Sequence, residues 1–306
     1  MSKSEEKAKT GTMSEKVGHT ASELTQKAKT MATKSQEAVV HAIDANGNGE
    51  IDIEDVIILG LKTPGVRIDR ANFLQKELFK HCEQSVIDTA IATTPAQAQI
   101  PPELIELIAD NVIQFERTCV SGISAALGAP GGAAMVATIP ADIIQYYGYM
   151  LRATQKLLYL YGFPQIDTTE EGQKFDSETI NILIICMGVM YGTAGASNAL
   201  KAIASALGKG VEKKLLNTAL TKGTIYPIVK SVAKWFGVKM TKDVFAGFFR
   251  KALPVVGGVL GGGITYLSFK PCCDRLKASL QNTRLSRPND EHTEDGYIVV
   301  DAQEVQ

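Results

Sequence analysis

Histidine is nearly missing from this chain. The four present are His19, His41, His81 and His292, so residues 82–291 hold none. That removes the commonest general base from the central region, and with it Ser–His and Cys–His nucleophilic arrangements. Cysteine is scarce too. Cys82, Cys119, Cys186, Cys272 and Cys273 are odd in number and mostly set in apolar helical sequence, a pattern of reduced thiols in a cytoplasmic compartment rather than a disulfide framework. The adjacent pair Cys272–Cys273 lacks the Cys-x-x-Cys spacing of a zinc knuckle. There is no Walker loop, and the glycines at 257–263 sit in an apolar, helix-like run rather than after a strand. The N-terminus, "MSKSEEKAKTGTMSEK", has neither an apolar core nor a small-residue cleavage site, so no secretory signal is expected. Net charge is −1, which offers nucleic acid no overall attraction.

Enzyme chemistry therefore finds little support, and no catalytic residue is predicted. The one suggestive acid is Asp142, between Ile-Pro-Ala and Ile-Ile. Burial would shift its pKa, but a helix-capping carboxylate beside a proline-induced break is the reading preferred here. A hydrolase or lipid-modifying enzyme built on such carboxylates is the outlying alternative.

What the chain does have is helical periodicity. "RIDRANFLQKELFKHC" and "SVIDTAIATT" read as amphipathic helices. "PPELIELIADNVIQFERTCVSGISAALG" opens with proline just inside a helix and closes on glycine. "AAMVATIPADIIQYYGYMLRATQKLLYLYG" follows a Pro-Gly-Gly turn, and later helices run from Ser205 to Leu253. "PVVGGVLGGGITYLSF" leads into a last helix, "CCDRLKASLQNTRL". No hairpin signal interrupts them beyond a short "GYIVV" in the tail. The expected fold is all-α: a multi-helix bundle with apolar, Gly-rich core helices. Ahead of it come a flexible amphipathic arm (1–30), whose thin apolar stripe repeats every eleven residues, and a helix-loop-helix (31–65). The helical domain covers 66–285 and an acidic disordered tail covers 286–306.

Three windows carry no charge: Thr118–Ala141, Thr179–Leu200 and Ala252–Phe269, of 24, 22 and 18 residues. By length each approaches the roughly 20 residues that span a bilayer. Pro130, Gly131 and Gly132 split the first, "GTAGASN" ends the second on small polar residues, and glycines fill the third. Buried core helices are favoured, with an integral membrane protein as the alternative.

Between Gly208 and Lys251 ten basic residues face only Glu212 and Asp243, a local charge of +8. Aromatics are interleaved with them. Lys230, Lys234, Trp235, Phe236, Lys239, Lys242, Arg250 and Lys251 are the candidates for a membrane surface. Cations attract anionic headgroups and aromatic rings favour the water–lipid boundary. A solvated basic face with its aromatics turned inward is the plainer reading. No nucleic-acid motif accompanies the patch.

The stretch Asp44–Asp55, "DANGNGEIDIED", has the spacing of an EF-hand loop. Such loops need oxygen ligands at positions 1, 3, 5, 7, 9 and 12 and glycine at 6. Asp44, Asn46, Asn48, Glu50 (through its carbonyl), Asp52 and Asp55 fall at the ligand positions, with Gly49 at the turn and Ile51 at the apolar position 8. Asp55 stands where glutamate is usual, one methylene shorter, and Asn48 removes a charge. Both changes lower affinity for Ca2+, with Mg2+ as the competing occupant. The loop also resembles those of dockerin modules, although no second repeat is found. A polar Asn-Gly turn without metal is the alternative.

Residues 127–162, "LGAPGGAAMVATIPADIIQYYGYMLRATQKLLYLYG", resemble the central block of the bacterial EcsC family, as does the later "LPVVGGVLGGGITYLSFKPCCDRLK". The resemblance covers about residues 70–285 and leaves the calcium-type loop outside. It implies an α-helical protein of the bacterial cytoplasm or membrane surface, with no reaction to carry over. The expectation is thus a non-enzymatic protein, peripheral at the inner face of the cytoplasmic membrane. Its partners would be anionic lipid and a possible second protein, and the loop would regulate it.

Overall fold

A computed structural model describes residues 53–128, 134–166, 177–210, 213–236 and 257–288. The chain divides into two compact units, Met1–Ile43 and Asp44–Gln306, and every described residue belongs to the second. The fold is all-α: the described residues form helices and turns, with no strand among them. In order these are α1 (Ile53–Lys62), α2 (Arg70–Leu78), α3 (Gln84–Ala92), α4 (Pro102–Gly128), α5 (Ala134–Leu160), α6 (Ser177–Met190), α7 (Ala196–Gly208), α8 (Lys213–Thr221), α9 (226–236 in its described part) and α10 (Gly257–Gln281).

Local chemistry explains the boundaries. Asp69 caps α2 by accepting a hydrogen bond from the Asn72 amide at 2.8 Å. α4 begins at Pro102 and runs to Gly128, as its proline and glycine predict. At the end of α3 the Thr93 amide and hydroxyl both donate to Thr89 O. The buried Arg70 guanidinium also donates to the carbonyls of Ala90, Ile91 and Thr93, and its Nε donates to Phe163 O at 3.0 Å. A cation at a helix C-terminus also meets the negative end of the helix dipole.

Three long helices form the frame. Arg117 of α4 bonds to Tyr266 O of α10 and Asp110 of α4 to Lys277 of α10, so these two helices run antiparallel. Glu116 of α4 meets Arg152 of α5, and Tyr146 of α5 lies 3.4 Å from Ser268 of α10. The C-terminal end of α4 and the N-terminal ends of α5 and α10 consequently lie at one pole of the bundle. α6 is buried along nearly its whole length, including Leu183, Ile185, Cys186 and Met187 at 0% exposure, and fills the centre. At Gly188 a Cβ would come within 2.7 Å of Val232, which brings α6 and α9 close together.

Three expectations are corrected. Asp142 does not sit at a helix start beside a proline break, because α5 runs unbroken through Pro140. The Gly-rich run and the last helix are one element, α10, with Pro271 inside it. The hydrogen bond that proline removes is the one to Leu267 O, on the same exposed face, where water can serve instead. The second uncharged window is two helices, since α6 stops at Met190 and Gly195, at φ 82°, turns the chain into α7. α1, the outgoing helix of the expected helix-loop-helix, packs into the bundle's core: Ile53, Val56, Ile57 and Leu61 are at most 1% exposed. Among the described residues no helix is long and apolar enough to cross a membrane.

Candidate functional site

Of the predicted calcium ligands, Asp44, Asn46, Asn48, Glu50 and Asp52 lie outside the described residues. Asp55 is described. It occupies the first turn of α1 and is fully buried, while its neighbour Glu54 is exposed. Position 12 of an EF-hand loop also lies in the first turn of the exiting helix. A carboxylate withdrawn from water there has the hard-oxygen chemistry such a loop requires. Among the described residues no three His, Cys, Asp or Glu side chains gather as a separate metal site.

α1 is fastened to α5 with unusual completeness. Gly60 packs so closely that a Cβ would meet Leu151 at 2.6 Å. Beyond α1 the extended chain from Gly65 to Ile68 is held by one face of α5. Arg152 donates to Gly65 O. Gln155 donates to Val66 O at 3.0 Å and accepts from the Ile68 amide at 3.1 Å, and the Tyr159 hydroxyl donates to Ile68 O at 3.1 Å. Positions 152, 155 and 159 share a helix face, so three side chains supply the backbone partners that a sheet neighbour would otherwise give. Burial raises the Tyr159 hydroxyl to about 12, and the hydrogen bond from the Ile166 amide opposes that rise.

Arg152 also takes part in an interior ion cluster. Glu116, wholly buried, accepts from Lys156 Nζ at 2.6 Å on one oxygen and from Arg152 Nε at 3.0 Å on the other. Lys156 Nζ lies 5.7 Å from the Phe73 ring and 5.6 Å from the Phe115 ring, where aromatic faces attract a cation. Two cations share one carboxylate, so the cluster holds the α4–α5 pair in a single register. Sequence reasoning missed it, though a signal existed. Glu116 and Arg117 are the last charges before 24 uncharged residues, and Arg152 and Lys156 stand one turn apart beyond them.

On the predicted basic–aromatic face, Lys230 and Lys234 are both exposed and one helical turn apart on α9, with Lys230 over the Tyr226 ring at 4.7 Å. Trp235 is half-buried. Phe236 is a correction: at 1% exposure it belongs to the core, edge-on to Tyr191 at 5.0 Å, because the helix turns it away from the lysines. Lys239, Lys242, Arg250 and Lys251 lie outside the described residues. Around Tyr191 sit Tyr146, Tyr147, Trp235, Phe236 and Cys272. Burial pushes the Tyr191 hydroxyl and the Cys273 thiol well above their ordinary values. Protonated thiols in such surroundings are packing groups, not nucleophiles. At the pole opposite the C-terminal end of α4 a groove is lined by Ile100, Ile105, Tyr161, Leu285 and Arg287 among others. Glu106 and Ser286 line it as well, and the Ser286 hydroxyl donates to the carbonyls of Leu280, Gln281 and Thr283.

No family model, no curated protein and no solved structure matches the chain.

Proposed function

We propose that this chain is a non-enzymatic helical protein that docks on the anionic inner face of the cytoplasmic membrane, with a calcium-binding loop at Asp44–Asp55 that tunes it. The observation that carries the reading is α9. Phe236 and Trp235 seat that helix against Tyr191, which fixes Lys230 and Lys234 on the outer face. Lys239, Lys242, Arg250 and Lys251 follow in sequence and add to the same charge. Each lysine near an anionic surface is worth about 1 kcal/mol. A fixed helix loses little orientational freedom when such a surface arrives. A spanning arrangement is disfavoured for α6, whose 14 residues reach about 21 Å against a hydrocarbon core of about 30 Å. Membership of the EcsC family belongs to the same proposal, and the all-α fold agrees with it.

The calcium role rests on the buried Asp55 carboxylate in the first turn of α1. When bound, Ca2+ would draw the loop's oxygens together. The chain's own part is to hold α1 against α5 while the loop closes. A second protein as partner belongs to the outcome in which lipid fails.

The test is co-sedimentation of the full chain with vesicles of phosphatidylcholine alone or with phosphatidylglycerol, each in calcium and in chelator. Binding to anionic vesicles should fall about 30-fold in the double variant Lys230→Ala/Lys234→Ala, the loss of two such interactions. Asp44→Ala should remove any calcium effect. Equal binding of the parent and the double variant would sink the electrostatic reading.

A further inference from the structure

The end of the bundle's last helix is also the wall of a groove. Leu285 and Arg287, just past α10, line it together with Leu160 and Tyr161 from the end of α5, Ile105 from the start of α4 and Ile100 from the turn before it. Ile100, Ile105, Leu160 and Leu285 are buried and make an apolar floor, whereas Glu106 and Arg287 are exposed at the rim. Lys277 Nζ lies 3.7 Å from the Glu106 carboxylate and offsets its charge. Tyr161 adds a polar feature. It is 4% exposed, and its hydroxyl makes no hydrogen bond of normal geometry although the Gln281 side chain is close by. Burial raises that hydroxyl above its ordinary range, so it stays protonated and able to donate. A buried donor without an acceptor is costly, and an incoming carbonyl would relieve it.

Beyond Arg287 the sequence continues through Pro288 into 289–306, which lie outside the described residues. That stretch carries six acids, no lysine or arginine, and one run of four apolar residues, Tyr297–Val300, with Asp295 before it and Asp301 after it. We propose that this Tyr-Ile-Val-Val run docks in the groove and covers its apolar floor. Three observations select it as the occupant. The first is continuity: the chain leaves the bundle on the groove's own wall, and residues 289–296, eight in all, reach up to about 29 Å when extended. The second is shape and chemistry. Ile298, Val299 and Val300 are β-branched and favour an extended chain, in which alternate side chains point the same way. One set can enter the groove while a backbone carbonyl accepts from Tyr161. The third is charge, since Asp290 and Glu291 follow directly on the cation at Arg287. A short tether gives an effective concentration of roughly 1 mM, so a contact with a free dissociation constant of about 0.1 mM stays closed about nine-tenths of the time. The inference is independent of the membrane reading.

The experiment uses the full chain with a benzophenone amino acid in place of Tyr297. Illumination should link that position to residues 95–105, or to the end of α10, within the same chain. Ile298→Asp/Val299→Asp strikes both alternating faces of the run. It should abolish the link and let the amides of 96–106 exchange about tenfold faster, the protection a contact closed nine-tenths of the time supplies. The amides of α6 should exchange as before. A parent that gives no link to the groove overturns the proposal, as does exchange at 96–106 that ignores the double variant. A link between two copies, seen as a covalent dimer, would make the groove an interface with a second chain and overturn the tethered arrangement. Should α6 also lose protection, the double variant has unfolded and the cross-link of the parent decides alone.

Discussion

Lys156 holds Glu116 at 2.6 Å in a place where the carboxylate has no access to water. Arg152 takes the other oxygen and passes its remaining reach to Gly65 O. One acid thereby joins α4 to α5, and α5 to the chain leaving α1.

Removing that acid leaves two cations without it. Glu116→Ala should cost about 3–5 kcal/mol, a large share of a typical total of about 5–15 kcal/mol. Urea unfolding followed by circular dichroism measures it. Adding Lys156→Met should recover part of the loss, since one of the stranded charges goes. A single-variant cost below about 1 kcal/mol would show that water reaches the cluster and that the register argument fails.

Gln155 serves two backbone groups of the extended chain, Val66 O and Ile68 N. Gln155→Leu preserves bulk but leaves both unpaired, at about 1–3 kcal/mol for each buried group. Amide hydrogen exchange should locate the effect at Ile68 and in α1. Unchanged protection at Ile68 would count against the clamp.

Close approach at Gly188 predicts a packing penalty. A Cβ there would come 2.7 Å from Val232 and 3.0 Å from Ala196. Gly188→Val should destabilise by about 1–3 kcal/mol, read as a lowered midpoint in thermal unfolding. Val232→Ala in the same background should restore part of it by opening the space. No recovery would mean that the backbones, not the side chains, set the contact.

How much of this was legible beforehand differs element by element. α4 announced itself at both ends, through Pro102 and Gly128, because capping chemistry is local. The run 179–200 did not reveal its break, because the glycines at 192 and 195 are compatible with a helix until a positive φ selects them. Asp142 was misjudged for the opposite reason: a proline in sequence signals a break, yet α5 carries Pro140 within it. Phe236 looked like Trp235, its neighbour, and only the helix phase relative to Tyr191 separates a core ring from a rim one. The Glu116 cluster was invisible for want of distance information, since its members stand 36 and 40 residues apart. The loop at 44–55, by contrast, is a purely local pattern and could be read from spacing alone. Asp55 is its one member among the described residues.

Alkaline pH offers a check on the same interior. Burial raises the Tyr159 hydroxyl to about 12, above an unfolded value of about 10. The folded state therefore keeps the proton longer than the unfolded state does. The contribution is complete below pH 10 and is lost as pH rises through about 12. Stability should fall with a steeper slope across that window than in Tyr159→Phe, and tyrosinate absorbance should show late titration that the variant reduces. Identical slopes would place the hydroxyl in contact with solvent.

The side chains that hold Gly65, Val66 and Ile68 come from residues 87, 89 and 91 positions later in the chain. A ribosome adds about 5–20 residues per second, so roughly 4–18 seconds pass between the birth of that segment and the arrival of its partners. During that interval the apolar face of α1 has nothing of its own to cover it. Whatever shelters a newly made chain in the cell must cover this segment until α5 has been made.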